Sequence, residues 1–170
     1  MNDDRKILMA RAKEMSRRKT KPQTSGETLM VVEFLLMPEK YGIESKYVSE
    51  VLSLKELTPI PGAPSFVTGI MDVRAKIISI VNLKLLFNLK ETGLTQLNKI
   101  IVLKRGPMEF GIVTDAIAGT REVLLKGLGA PPATIQGTLA EYIKGITPEG
   151  LILLDGENLL TNKSIIVNQQ

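Results

Sequence analysis

Histidine, cysteine and tryptophan are all missing from this 170-residue chain. Without the first two there is no imidazole for acid–base work, no thiol nucleophile, no disulfide, and none of the commonest zinc or haem ligands. Walker-type glycine loops, Gly-x-Gly-x-x-Gly and Gly-x-Ser-x-Gly are absent as well. Any catalysis would fall to carboxylates, lysines or hydroxyls, and no paired-carboxylate spacing stands out. No apolar run approaches the roughly 20 residues that a membrane-spanning helix needs, and the N-terminus lacks the apolar region of a signal peptide. The lack of cysteine fits a reducing compartment. Together these absences predict a soluble, cytoplasmic, non-enzymatic protein that needs no cofactor or metal.

What the chain does have is apolar residues, 44% of the total, enough for a real core. Its charge is unevenly placed. Residues 1–26 carry eight Lys and Arg against three acids, a net +5, while the whole chain is +4, so residues 27–170 sum to −1. The basic character belongs to the tail. A nucleic-acid-binding barrel is a remote alternative, because the body is slightly acidic and only three Tyr and four Phe are available for base stacking.

The tail reads as a helix opened by Asn2, Asp3 and Asp4, with Leu8, Ala12 and Met15 on one face, followed by a polar linker over Thr20–Gly26. Two readings stand for it: a solvated helix, or a contact with an anionic membrane face or a partner. The domain boundary is expected there, with 1–26 as tail and 27–170 as the folded body.

From Met30 the signal is β. Met30–Met37 is a strand, Pro38-Glu39-Lys40 a turn, and Tyr41–Glu44 a second strand; Lys46–Leu52 fits a short helical turn or an irregular strand. Pro59, Pro61 and Pro64 mark an extended edge or turn, since none can donate to a sheet ladder. Two apolar runs follow around a polar tip, Asp72-Val73-Arg74-Ala75-Lys76, which predicts a β-hairpin with charge at its apex. Asn82 caps a helical turn over Leu83–Phe87. Asn98–Lys104 and Met108–Thr114 form another hairpin around Arg105-Gly106-Pro107. Gly127–Gln136 is a proline-rich loop, Leu151–Leu154 a buried strand, and Asp155 a cap for the turn through Leu160. Gly42, Gly69 and Gly111 read as backbone necessities, and Gly69→Asp is expected to damage fold and interface alike.

These pieces repeat. Tyr41-Gly42-Ile43 with Val48 and Val51-Leu52 resembles Phe110-Gly111-Ile112 with Ile117 and Val123-Leu124. Gly69-Ile70 leading through Ile78–Asn82 to Leu86 matches Gly145-Ile146 leading through Leu151–Asp155 to Leu159. Each unit, of about five short strands, is expected to close as a small barrel, with a groove between the two.

With this duplication, the Tyr-Gly-Ile element, the Thr-Pro-Ile-Pro-Gly-Ala-Pro run and the Gly-Ile-Met-Asp-Val-Arg hairpin in one order, residues 30–167 resemble the CheW-type chemotaxis coupling proteins. The resemblance implies a mainly β fold of two SH3-like β-barrel subdomains with a chain that crosses between them. It implies a non-catalytic adaptor between the regulatory domain of the chemotaxis histidine kinase CheA and the cytoplasmic tips of methyl-accepting chemotaxis receptors, held in arrays near the inner face of the membrane. By position it implies receptor contact at Arg74, Val48, Glu50, Gly69 and Val123, the last paired by the repeat with Val51. Alternatives are a CheW-like module of the kinase itself or of another signalling scaffold; the start methionine followed by a tail favours a free-standing protein.

The apex departs from the family pattern. Asp72-Val73-Arg74-Ala75 stands where the family has Asn-Leu-Arg-Gly. Alanine disfavours positive φ, which predicts a different turn type, a differently aimed Arg74, and Asp72 as the ion-pair partner of that arginine.

Overall fold

A computed structural model describes residues 26–90, 93–135, 137–162 and Ile165. The expected tail helix and most of its linker lie outside those residues. Ten strands account for just under half of the described residues. They are β1 (Thr28–Leu36), β2 (Glu39–Glu44), β3 (Val48–Ser53), β4 (Val67–Val73), β5 (Lys76–Val81), β6 (Lys99–Arg105), β7 (Met108–Thr114), β8 (Ala116–Leu124), β9 (Ile143–Ile146) and β10 (Ile152–Leu154). Three short helices join them: α1 (Leu83–Leu86), α2 (Thr138–Glu141) and α3 (Gly156–Thr161). The two readings of Lys46–Leu52 are both realised, as a 3-10 turn over Ser45–Tyr47 that leads into β3.

The caps behave as their chemistry dictates. Asn82 Oδ1 accepts from the Lys84 N–H at 3.0 Å to open α1, and Asp155 Oδ1 accepts from the Asn158 N–H at 3.0 Å to open α3. The proline-rich stretch is an edge: Thr58 bonds both ways with the backbone of Ile70 on β4, at 2.8 and 2.9 Å. Helix α2 has no capping side chain on Gly137, which is why the sequence carried no signal for it.

The strands form two five-stranded sheets, ordered β8-β1-β2-β10-β9 and β3-β6-β7-β5-β4. The duplication is real at the level of register. Phe34 faces Tyr41 on β1–β2 as Leu103 faces Phe110 on β6–β7. Ladder shifts recur in matching places, at Val48/Glu50 on β3 and opposite Glu33/Phe34 on β8, then at Val67/Gly69 on β4 and opposite Leu153/Leu154 on β9. The isolated bridge Thr58–Ile70 is matched by Gly129–Ile146.

Two expectations need correction. Neither repeat closes on itself: each sheet takes two strands from one repeat and three from the other, so β1 and β2 sit with β8–β10, and β6 and β7 with β3–β5. The repeat also does not pair Val123 with Val51. Val51 faces Ile101 and Thr120 faces Val32, the register equivalent of Ile101, so Val123 corresponds to Leu54. A Val-Leu pair is a low-information pattern that recurs on any half-buried strand, and here it recurred three residues out of step.

Period-two alternation sorts the side chains into three apolar layers. Along β6, Ile100 and Val102 face a small core with Met71, Val73, Ile78, Ile80 and Val113. Ile101 and Leu103 face the other way, into a large shared core with Phe34, Tyr41, Phe110, Ile112, Tyr142 and Leu159. The first sheet has its own small core of Val31, Val123, Leu151 and Leu153. The seam between the sheets is therefore packed with side chains, in the largest core cluster among the described residues. Burial there pushes the Tyr41 phenol up to about 12, with Glu39 adding to the effect.

The crossing from β7 to β8 is pinned by Asp115. Its N–H donates to Leu35 O at 2.8 Å, and its carboxylate meets buried Lys84 Nζ at 2.7 and 3.0 Å and accepts from the Met37 N–H at 2.7 Å. Lys84 is buried and Asp115 partly so, and the pair is satisfied on several sides, which is the condition for tolerating it.

Gly69 shows how tightly the β4 edge is drawn in. Its φ is +152°, and a Cβ there would lie 2.6 Å from Thr58 O. Gly69→Ala is expected to cost about 2–4 kcal/mol through backbone strain and overpacking. Thermal unfolding should drop by about 5–15 °C; an unchanged midpoint would contradict the geometry.

Candidate docking site at the Arg74 hairpin

β4 and β5 are joined by two residues only. Val73 pairs with Lys76, and Arg74 and Ala75 between them have φ of 50° and 66°. Positive φ at both positions is the requirement of a type I′ hairpin, whose twist matches that of the strands it joins. The turn therefore keeps the type that glycine would favour even though alanine occupies it, correcting the expectation of another type. The strands impose the geometry, and the alanine bears the strain.

Below the turn, buried Val73 and Ile78 anchor the hairpin in the second sheet's core. Arg74 stands out from it with its side chain 80% exposed. Its Nη2 lies 3.4 Å from Glu50 Oε1 on β3, so the partner is Glu50 and not Asp72 as expected. Because β3 and β4 are the two outer strands of their sheet, this ion pair joins the edges of a curled sheet. Glu50 Oε1 is buried and accepts no hydrogen bond, which leaves the nearby guanidinium to offset its charge. The adjoining pair is Lys76 Nζ to Glu109 Oε1, at 3.5 Å.

These groups rim a cavity of about 220 Å³ with Val73, Ile78 and Val102 among its lining and Ser49, Glu50, Arg74, Lys76, Lys104 and Glu109 around it. That is small against the roughly 300–1,000 Å³ of ordinary ligand pockets, so it suits one or two side chains of a macromolecule better than a free metabolite. Apolar floor with a mixed-charge rim is also the anatomy of a protein contact.

The other sequence-derived positions divide. Val48 is half-buried on β3, facing Leu103 and packed on the shared core beside Glu50. Gly69 lies buried on β4, in the same hairpin as Arg74. Asp72 is exposed on that strand and lines a separate cavity with Ile70 and Ile77. Val123 is 4% exposed and belongs to the first sheet's core, so the structure does not bring it to Arg74. Lys76, Lys104 and Glu109 were missed. They come from the ends of a hairpin pair and from the other repeat, and only the parallel β5–β7 pairing brings them to one rim. Among the described residues no cluster of acids could hold a metal ion, and no helix is long and apolar enough to cross a membrane.

Comparison with known proteins agrees with this architecture. The family model described as the CheW-like domain matches residues 30–164. The chain is 35% identical over 148 residues to the chemotaxis protein CheW of Treponema pallidum (strain Nichols), covering 83% of this chain and 87% of that one. It is 27% identical over 126 residues to protein FrzA of Myxococcus xanthus, covering 71% and 78%. The crystal structure of the scaffolding protein TtCheW from Thermoanaerobacter tengcongensis shares the fold, with a TM-score of 0.70 at 24% identity over 85% of this chain and 97% of that one.

Strain at the apex is open to measurement. Ala75→Gly relieves a left-handed alanine and should stabilise the protein by about 0.5–1 kcal/mol. The melting midpoint should rise by about 1–4 °C; a fall would mean that the turn is not of the type described.

Proposed function

The chain belongs to the CheW-like domain family, and from that premise we propose that it is a non-catalytic adaptor coupling methyl-accepting chemotaxis receptors to the chemotaxis histidine kinase CheA. The observation that carries this reading is Arg74, held proud of a rigid two-residue turn over a small apolar-floored cavity. A guanidinium can meet a carboxylate or a row of carbonyls with two bonds at once, which suits the surface of a helical receptor tip.

Its intramolecular partner does not prevent this. Arg74 is 80% exposed and 3.4 Å from Glu50, so it can turn to a receptor group, at the cost of leaving the buried Glu50 Oε1 without its offsetting charge. A receptor donor that reaches Glu50 as Arg74 turns away would restore that charge balance, giving one contact of each sign. Val48 and Gly69 shape the strands on either side. Val123 would act at a distance from this contact, through the first sheet.

Coupling on this reading is geometric. A kinase regulatory domain and a receptor tip, held by one rigid body, change contact energy together when the receptor changes conformation. Each interface would bury about 1,200–2,000 Å² with a few dominant anchors, and modest affinity suffices where many copies share an array. The protein would work in the cytoplasm, at receptor arrays beneath the membrane. Residues 1–26, the basic tail, would remain available to an anionic surface or partner.

The test is a pull-down against a receptor-tip fragment and a kinase regulatory domain, separately and together. Arg74→Ala should reduce receptor capture about tenfold or more, as an interface anchor does. It should also lower the melting midpoint by about 2–10 °C, because buried Glu50 Oε1 loses the guanidinium that offsets its charge, so capture is compared with Arg74→Lys, which keeps the charge and loses the two-bonded fork. Wild-type receptor capture by the variant would overturn the assignment of Arg74.

A further inference from the structure

The chain passes from one sheet to the other at two places, β2 to β3 and β7 to β8. Asp115 and Lys84 hold the second crossing. The first is held by Glu44, the last residue of β2, whose side chain is only 7% exposed. Its Oε1 accepts from Lys144 Nζ on β9 at 3.0 Å, and its Oε2 lies 3.3 Å from Lys46 Nζ. Among the described residues, no other carboxylate this deeply buried is shared by two ammonium groups. Lys46 Nζ also stands 5.1 Å above the Tyr47 ring, and that ring packs so closely on Gly156 of α3 that a Cβ there would come within 2.5 Å of it. The crossing residues Ser45–Tyr47 are thus tied to the second repeat from both ends, through Lys144 and through Gly156.

Packing alone does not ask for a carboxylate at this position. Val31 faces Glu44 as Ile100 faces Val113, so the second sheet places a valine where the first has Glu44. Val113 is buried in that sheet's small core. A buried charge set often gives less stability than apolar side chains of the same volume, and its best-attested gain is in fixing register. The strand whose register is at stake here is β3. Val48 follows the crossing directly, its N–H donating to Ser45 O. The β3 ladder then shifts between Val48 and Glu50, and Glu50 reaches Arg74. A slip of one residue in β3 would turn Glu50 to the opposite face.

We propose that Glu44 is a positioning residue for the candidate docking site: by holding Lys46 and Lys144 it fixes where the crossing delivers β3, and so keeps Glu50 opposite Arg74. Only three residues separate Glu44 from Val48, too few to absorb a displacement of the crossing. Glu44 touches neither Arg74 nor Glu50 and acts through the backbone between them. The functional side of this assignment rests on the adaptor reading; the effect on the Arg74–Glu50 pair does not.

A double-mutant cycle on the full chain tests it without any receptor. Glu44→Val installs the residue that the other sheet uses, and it leaves behind two lysines whose side chains are 65% and 37% exposed, so no bare charge is buried. Its melting midpoint should lie within about 3 °C of wild type or above it. Arg74→Ala is then made in both backgrounds. Separate sites that share no partner add, whereas a displaced Glu50 no longer depends on Arg74. The drop caused by Arg74→Ala should therefore shrink to less than about half in the Glu44→Val background. Glu44→Gln, which keeps the shape and loses the charge, carries the same cycle if the valine lowers the midpoint instead. Capture of a receptor-tip fragment by Glu44→Val should fall about threefold or more, with no further loss when it is added to Arg74→Ala. An equal Arg74→Ala drop in both backgrounds would overturn the role of Glu44, whether or not receptor is captured. Wild-type capture by Glu44→Val would overturn it as well.

Discussion

The layer of apolar side chains shared by the two sheets is the constraint on which the rest of this molecule depends. It exists because the repeats trade strands, so that the strands lining it come from both halves of the chain. Each sheet keeps a small core of its own on its other face, but Val31, Val123, Leu151 and Leu153 alone are few for an independent domain. The relative orientation of the two sheets follows from that layer, while the Arg74 hairpin is anchored through Val73 and Ile78 in the second sheet's own small core. Asp115 and Lys84 pin the chain at the point where it leaves one sheet for the other.

The candidate docking site is placed by the same exchange. Val73 and Ile78 come from the first repeat and Val102 from the second, and together they give the turn a floor. The charges above that floor are held by long ion pairs of 3.4 and 3.5 Å, which position without locking. A surface built this way is firm in its backbone and yielding in its side chains. That combination suits a protein whose role is to hold other proteins in register.

Local chemistry made much of this legible in the sequence. The Asn82 and Asp155 caps, the two hairpins, the edge made by the proline run, and the aromatic-Gly-Ile repeat each rest on residues with narrow conformational preferences. The exchange between repeats was not legible from those residues, because the parallel pairings β2–β10 and β5–β7 are long-range and leave no local mark. For the same reason Glu50 could be placed near the site by resemblance to a family but not as the ion partner of Arg74, while Asp72, two residues away from the arginine, looked the better candidate. Ala75 misled in a different way: its intrinsic preference opposes the turn, and the strands on both sides override it. The false equivalence of Val51 and Val123 came from reading likeness where only ladder register can decide.

The central claim is that partners meet this protein at the curled second sheet, around the β4–β5 turn, and not at the packed seam. Backbone amide hydrogen exchange of the full chain, with and without a receptor-tip fragment, tests it most directly. The account requires new protection at residues 71–78, 48–53 and 104–109, with β8 and β9 unchanged. Protection confined to β8 and β9, with the Arg74 turn exchanging as freely as before, would contradict it.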